Sequence, residues 1–307
     1  MEQRWKKLGR IYNPETNERH PKLLSHTANP LPVHLHDDVY RIYYSGRDKK
    51  NCSSVGAIDF DIIKKELVKN FNEPVFVHGP ENSFFSHGVS IGCEYRIENM
   101  HYILFMGWHI PKGKHWRGEI GRVLIHPDGY LTYNDYAPVI GRDAEDPVSL
   151  SYPCVYRDEN DLYHMWYGST KSWDAGNGEM LHVINYATSI EGELWSRKGL
   201  AIPYEIGESQ AFSRPTVLKS KLDGLDMWFS YRSGDGTTYR IGHAHTDDMQ
   251  TWELDNNKAG IDVATCGWDS EMICYPYVFD HCGERYMLYN GNGYGRTGFG
   301  LAVLDGR

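Results

Sequence analysis

No run of apolar residues in this 307-residue chain approaches the ~18 that a membrane-crossing helix needs, so no helical span is expected. Positive charge is also scarce. Lys and Arg number 32 against 41 Asp and Glu, a net charge of −9. Nucleic acid or an anionic membrane is therefore not expected as the main partner. The opening MEQRWKKLGRIY is basic but lacks the apolar stretch of a secretory leader, and a cytoplasmic location is expected. No C-x-x-C pair occurs among Cys52, Cys93, Cys154, Cys266, Cys274 and Cys282. They read as small buried hydrophobes of a reducing compartment. A zinc set of Cys266, Cys274, Cys282 and His281 lacks the spacing of a metal knuckle, and neither metal nor cofactor is expected. Helix-like periodicity and linker-like segments are missing too.

What is present is strand chemistry. The 22 Tyr and 9 Trp suit a pleated surface, and 40 % hydrophobic residues suffice for a packed core. An aromatic phrase running into glycine recurs through the sequence, ending at Gly46, Gly107, Gly168, Gly234 and Gly291. The interval stays near sixty residues, the mark of stacked or radially arranged units. Each unit opens with a short strand introduced by proline or glycine: Pro30, Gly88, Pro153, Pro215 and Pro276. The aromatic strand, a third strand and a short outer strand follow. This predicts an all-β fold, a five-bladed β-propeller of four-stranded antiparallel blades, with residues 1–307 forming one domain. The last unit stops at its third strand, and the run Trp5–Tyr12 is expected to complete it.

In a propeller the first strands surround a central tunnel and share one mouth. Aligning the five Pro/Gly positions places Asn29, His87, Tyr152, Arg214 and Tyr275 one residue earlier. Seven residues earlier stand Leu23, Glu81, Asp146, Glu208 and Asp269, a ring with four acids. Glu271, following Trp268 and Asp269 and preceding an apolar strand, is expected to point into the mouth. Crowded carboxylates push one another's pKa apart, as acid/base work on a glycosidic bond requires. Glu271 and Asp146 are the candidate catalytic pair. In the plainer reading each is a loop acid, solvated or paired with an arginine. Arg214, with His87, Arg47 and Arg232, would suit an anionic substrate. Asn29, Tyr152 and Tyr275 would orient hydroxyls, with Glu208 and Asp269 beside them. Trp108, Trp173, Trp268 and Tyr294 would offer stacking faces, whereas Trp166 and Trp228 lie inside strands and read as core. Gly291-Asn292-Gly293-Tyr294-Gly295 lies between two strands and reads as a hairpin loop.

This phrase and its spacing resemble the five-bladed propeller superfamily of glycoside hydrolase families 43, 32, 62 and 130. Family 43 carries an Asp-Pro in the first blade, where this chain has Asn29-Pro30, and an Asp and a Glu where it has Tyr152 and Arg214. Glu145-Asp146-Pro147 is similar to the Glu-Asp-Pro of family 130, whose Asp donates a proton. The closing segment Gly267–Gly298 looks like uncharacterised propellers of bacterial glycan and polysaccharide genes. The resemblance implies a carbohydrate-active enzyme that cleaves or transfers a glycosidic bond in glycan biosynthesis. Its partner would be a small-molecule sugar, sugar phosphate or nucleotide sugar. The alternative is a non-catalytic propeller that binds a glycan or a protein.

Overall fold

The computed structural model describes residues 4–14, 19–135 and 137–305. Strand β1 (Arg4–Tyr12) comes first in sequence yet lies in the last sheet. The first meander is β2 (Ser25–His36), β3 (Val39–Arg47), β4 (Ser53–Asp61) and β5 (Glu66–Asn70). The second is β6 (Gly88–Ile97), β7 (Met100–His109), β8 (Arg117–Ile125) and β9 (Leu131–Thr132). The third is β10 (Ser149–Arg157), β11 (Tyr163–Ser172), β12 (Leu181–Ser189) and β13 (Ser196–Leu200). The fourth is β14 (Ser213–Lys219), β15 (Leu225–Tyr231), β16 (Arg240–Thr246) and β17 (Glu253–Leu254). The fifth is β18 (Cys274–His281), β19 (Glu284–Asn290) and β20 (Phe299–Asp305), and β1 completes it. The antiparallel register sets Trp5 against Leu304 and Tyr12 against Phe299. A single parallel bridge, Ser53 to Gly88, joins the first two meanders into one longer sheet.

The apolar core is divided among the gaps between meanders. Leu31 and Tyr43 pack on Ile91 and Phe105 between the first and second. Leu104 meets Met165 and Tyr167 between the second and third. Trp166 meets Met227 and Phe229 between the third and fourth. Trp228 meets Met287 and Tyr289 between the fourth and fifth. Tyr40 and Ile42 meet Phe279 and Leu288 between the fifth and first. The arrangement therefore closes on itself as a propeller. Both faces of an inner strand are covered, so β4 is buried throughout and shows no alternation. Outer strand β5 is almost wholly exposed. A rotationally packed ring also needs glycine on third strands. A Cβ on Gly56 would lie 2.5 Å from the Tyr44 ring.

Among the described residues helix is confined to short pieces. A 3-10 turn covers Asn256–Ala259, and the expected hairpin loop after Gly291 folds into one helical turn, α1 (Asn292–Gly295). Gly293 and Tyr294 within it are left-handed, at φ 64° and 60°. This curl turns Tyr294 toward the mouth.

Candidate functional site

Four of the first strands kink at the same place. Asn29, Tyr152, Arg214 and Tyr275 have φ of 57°, 31°, 50° and 54°. Each directly precedes a proline, and the strand register slips there. Left-handed backbone in non-glycine residues costs roughly 1–2 kcal/mol each, so the ring stores strain at one end of the tunnel. The second meander slips between Ile91 and Glu94, and Gly92 there packs against Pro153. Gly92, not Gly88, is thus the counterpart of the prolines. The true ring is Asn29, Ile91, Tyr152, Arg214 and Tyr275. His87 belongs to the preceding turn, and Phe85 replaces Glu81 in the outer ring.

At this end lies a cavity of about 440 Å³. Its wall includes Ser90, Ser151 and Ser213, small residues just before the kink, with Tyr152, Tyr239, Tyr275 and Tyr294. Tyr152 and Tyr275 meet at 5.5 Å between ring centres, and Tyr239 lies 5.9 Å from Tyr294. Burial pushes the Tyr239 and Tyr275 hydroxyls well above their usual range, so they stay protonated and can donate hydrogen bonds. Trp108 and Trp116 add apolar faces.

The charged residues in the lining, Arg47, Lys50 and Arg232, are all cations, and the His87 and His182 imidazoles stand beside them. Among the described residues no carboxylate lines this cavity. Glu179, outside the lining, accepts from Arg232 Nη2 at 2.8 Å. Arg232 also donates to the Tyr294 hydroxyl at 3.3 Å and lies 4.7 Å over the Tyr239 ring. Its Nε is buried without a partner. Ser151 Oγ lies 2.7 Å from His182 Nε2, and Thr170 Oγ1 lies 2.7 Å from His182 Nδ1. Burial holds the His182 pKa down to about 3, so this imidazole is neutral.

The sequence-predicted residues divide. His87, Tyr152, Tyr275, Arg47 and Arg232 line the cavity together, with Trp108 and Tyr294. The two proposed catalytic acids do not. Asp146 is fully buried inside the third meander and accepts hydrogen bonds from Tyr167, Ser169, Lys171, Asn185 and Arg197. Burial alone would raise its pKa, but these donors outweigh it and hold the carboxyl below its usual range. Glu271 is exposed outside the lining, its backbone N–H held by Asn292 Oδ1 at 2.9 Å. Asp269 is bound by Lys7 at 2.7 Å and Tyr289 at 3.0 Å. Glu208 is exposed on a turn, and Trp268 packs 5.3 Å from Tyr289. Trp173 stays outside the lining, 4.9 Å from Trp116. Asn29, 1 % exposed, is fastened by Asn290 Oδ1.

Arg214 lies buried behind the lining. It is 1 % exposed, behind Ser213, and no carboxylate among the described residues pairs with it. It donates to the carbonyls of Tyr275 at 2.7 Å and Pro30 at 2.8 Å, tying the fourth meander to the fifth and first. Burial lowers its pKa to about 10, so it remains charged at neutral pH.

Two proteins of Mycobacterium tuberculosis match this architecture in sequence. The uncharacterized proteins MT1551 and Rv1502, from strains CDC 1551 and H37Rv, are each 39 % identical over 303 residues. The match covers 98 % of this chain and 99 % of each relative. This protein belongs to their family. No family profile matches it. Among solved structures it is similar to a glycoside hydrolase at TM-score 0.75, with 12 % identity, 97 % of this chain covered and 92 % of the other. The endo-arabinase from Bacteroides thetaiotaomicron gives 0.64 and 12 %, covering 94 % and 96 %. Sucrose-6-phosphate hydrolase from Lactobacillus gasseri gives 0.66 and 12 %, covering 94 % and 60 %. These neighbours share the propeller fold.

For this family member, sequence reading missed His182, Tyr239 and the serines. The serines had a legible signal, a small residue two places before each proline or Gly92: Ala28, Ser90, Ser151, Ser213 and Cys274. His182 opens a third strand and had none.

Proposed function

We propose that this protein recognises an anionic sugar, such as a sugar phosphate, nucleotide sugar or acidic sugar, in the cavity at the kinked end of its tunnel. One observation carries the reading. In a chain of net charge −9, the lining gathers Arg47, Lys50 and Arg232 and includes no carboxylate among the described residues. The buried charge of Arg214 behind the wall adds to the positive field. The tyrosines and tryptophans supply faces and donors for a sugar ring. A neighbour named for a sugar-6-phosphate substrate fits this reading. The six cysteines, all free, support a cytosolic setting.

Cleavage or transfer of a glycosidic bond is the second reading, favoured by the fold shared with glycoside hydrolases. The usual route needs two carboxyl groups roughly 5–9.5 Å apart across the bond. The described lining offers no such pair, so recognition without hydrolysis is the better-supported proposal.

Calorimetric titration with hexose phosphates, nucleotide sugars, uronic acids and the matching neutral hexoses tests it. A charged ligand should bind, and Arg232→Ala should weaken it about tenfold or more, the worth of a lost charged hydrogen bond. Equal affinity for neutral hexoses, or unchanged binding by Arg232→Ala, would overturn the reading. Sugar release from the bound ligand would favour the second reading.

A further inference from the structure

The far ends of the first strands carry a separate cluster. The β2–β3 turn contributes Asp38, the last residue of β18 is His281, and the turn after it contributes Cys282. One donor atom from each lies within 4.8 Å of the other two. His281 Nε2 is 2.8 Å from Asp38 Oδ1 and 3.4 Å from Cys282 Sγ. Its other nitrogen, Nδ1, is 3.0 Å from the Tyr40 hydroxyl. His281 is 8 % exposed, so its ring is fixed, whereas Cys282 is open to solvent.

We propose that Asp38, His281 and Cys282 bind a divalent transition ion of the zinc type. The donor set supports that choice. A thiolate, an imidazole and a carboxylate are zinc ligands, and thiolate disfavours magnesium or calcium. The spacing supports it too. With ordinary zinc bond lengths, tetrahedral geometry sets ligand atoms about 3.3–3.6 Å apart. The sulfur–nitrogen distance is already 3.4 Å, and the 2.8 Å contact has to lengthen by only about half an ångström. Tyr40 does what outer partners of metal-bound histidines do, holding the ring so that Nε2 faces the ligands. Solvent at the exposed side completes the coordination. The ion would clasp the first meander to the last, where neighbouring side chains are 243 positions apart in sequence. A second cluster, Asp48, Cys52 and His78, is already filled by the Lys22 ammonium, 2.9 Å from His78 Nε2.

The test is titration of chelator-stripped protein with zinc alone against a chromophoric competitor, followed by cobalt substitution. One equivalent should bind per chain, and cobalt should give a near-ultraviolet thiolate charge-transfer band. Cys282→Ser, at an exposed position, should fold normally, lose the band and weaken zinc binding at least tenfold. Tyr40→Phe should weaken it about 10–100-fold, as loss of an outer partner does. Zinc should also raise the melting temperature of the wild type more than that of Cys282→Ser. Absence of stoichiometric zinc binding, or wild-type affinity and spectrum in Cys282→Ser, would overturn the assignment.

Discussion

The hydroxyl of Tyr167 donates to Asp146 at 2.8 Å, where no solvent reaches the carboxylate. Tyr289 and Asp269 repeat the bond at 3.0 Å in the fifth meander. In both, an acid before the first strand is locked to the aromatic strand and to a cation, Arg197 in one case and Lys7 in the other. Asp146 and Asp269, expected to crowd one mouth, serve instead to fasten their own sheets. Asp146→Ala should therefore destabilise by roughly 2–4 kcal/mol, because buried donors lose their acceptor. Ligand affinity of the folded fraction should stay unchanged. Urea unfolding paired with sugar titration measures both, and lost binding at intact stability would return Asp146 to the chemistry.

Acid should unfold this protein earlier than its carboxylates alone predict. Burial, then Lys171 and Arg232, holds His182 down to about 3, and burial, then Arg47, Arg296 and Arg19, holds His26 down to about 4. Both have an unfolded value near 6.5, so below it the unfolded chain takes up protons that the native state refuses. This stability is complete above pH 6.5 and is lost as pH falls toward the folded values. His182 alone gives a slope of about 1.4 kcal/mol per pH unit. Urea midpoints measured from neutral pH down to about pH 4 should fall steadily, and His182→Gln should flatten the curve. An equally steep curve in that variant would contradict the assignment.

Arg214→Ala should cost about 3 kcal/mol or more, since it empties a buried site and strands two carbonyls. Arg214→Met should recover part of that, by filling the volume without a buried charge. Both should weaken anionic ligands, although the residue is not in the lining. Chemical denaturation separates the two variants, and equal stability of both would show that packing contributes little.

Gly168→Ala should disturb the cavity wall from behind. A Cβ there would sit 2.2 Å from Ser151 Oγ and 2.4 Å from His182 Nε2. Overpacking of this kind costs roughly 1–3 kcal/mol. Ligand affinity should fall together with the melting temperature, and wild-type behaviour in both would show that the pair moves freely.

The fold was legible because the repeated phrase reflects one mechanical need, an aromatic strand covered on both faces. The placement of β1 followed from counting strands in the last unit. The site was legible only where the kink is marked by proline. In the second meander Gly92 does proline's work, and the nearer Gly88 shifted the alignment onto His87. His87 still reaches the cavity, but through the turn before its strand. The outer acids misled because a shared offset fixes position along a blade but not whether a carboxylate faces the axis or its own sheet. The tyrosine hydroxyl that captures Asp146 lies in another strand, and no local pattern announces it.

The antiparallel pairing of β1 with β20 has a consequence during synthesis. Strand β1 leaves the ribosome long before β18 to β20 exist, so Trp5 and Tyr12 must wait uncovered while every other sheet is assembled. Protecting that stretch until its late partners emerge is a natural task for a chaperone, and trimming it from a nascent chain would leave β20 with a bare, sticky edge.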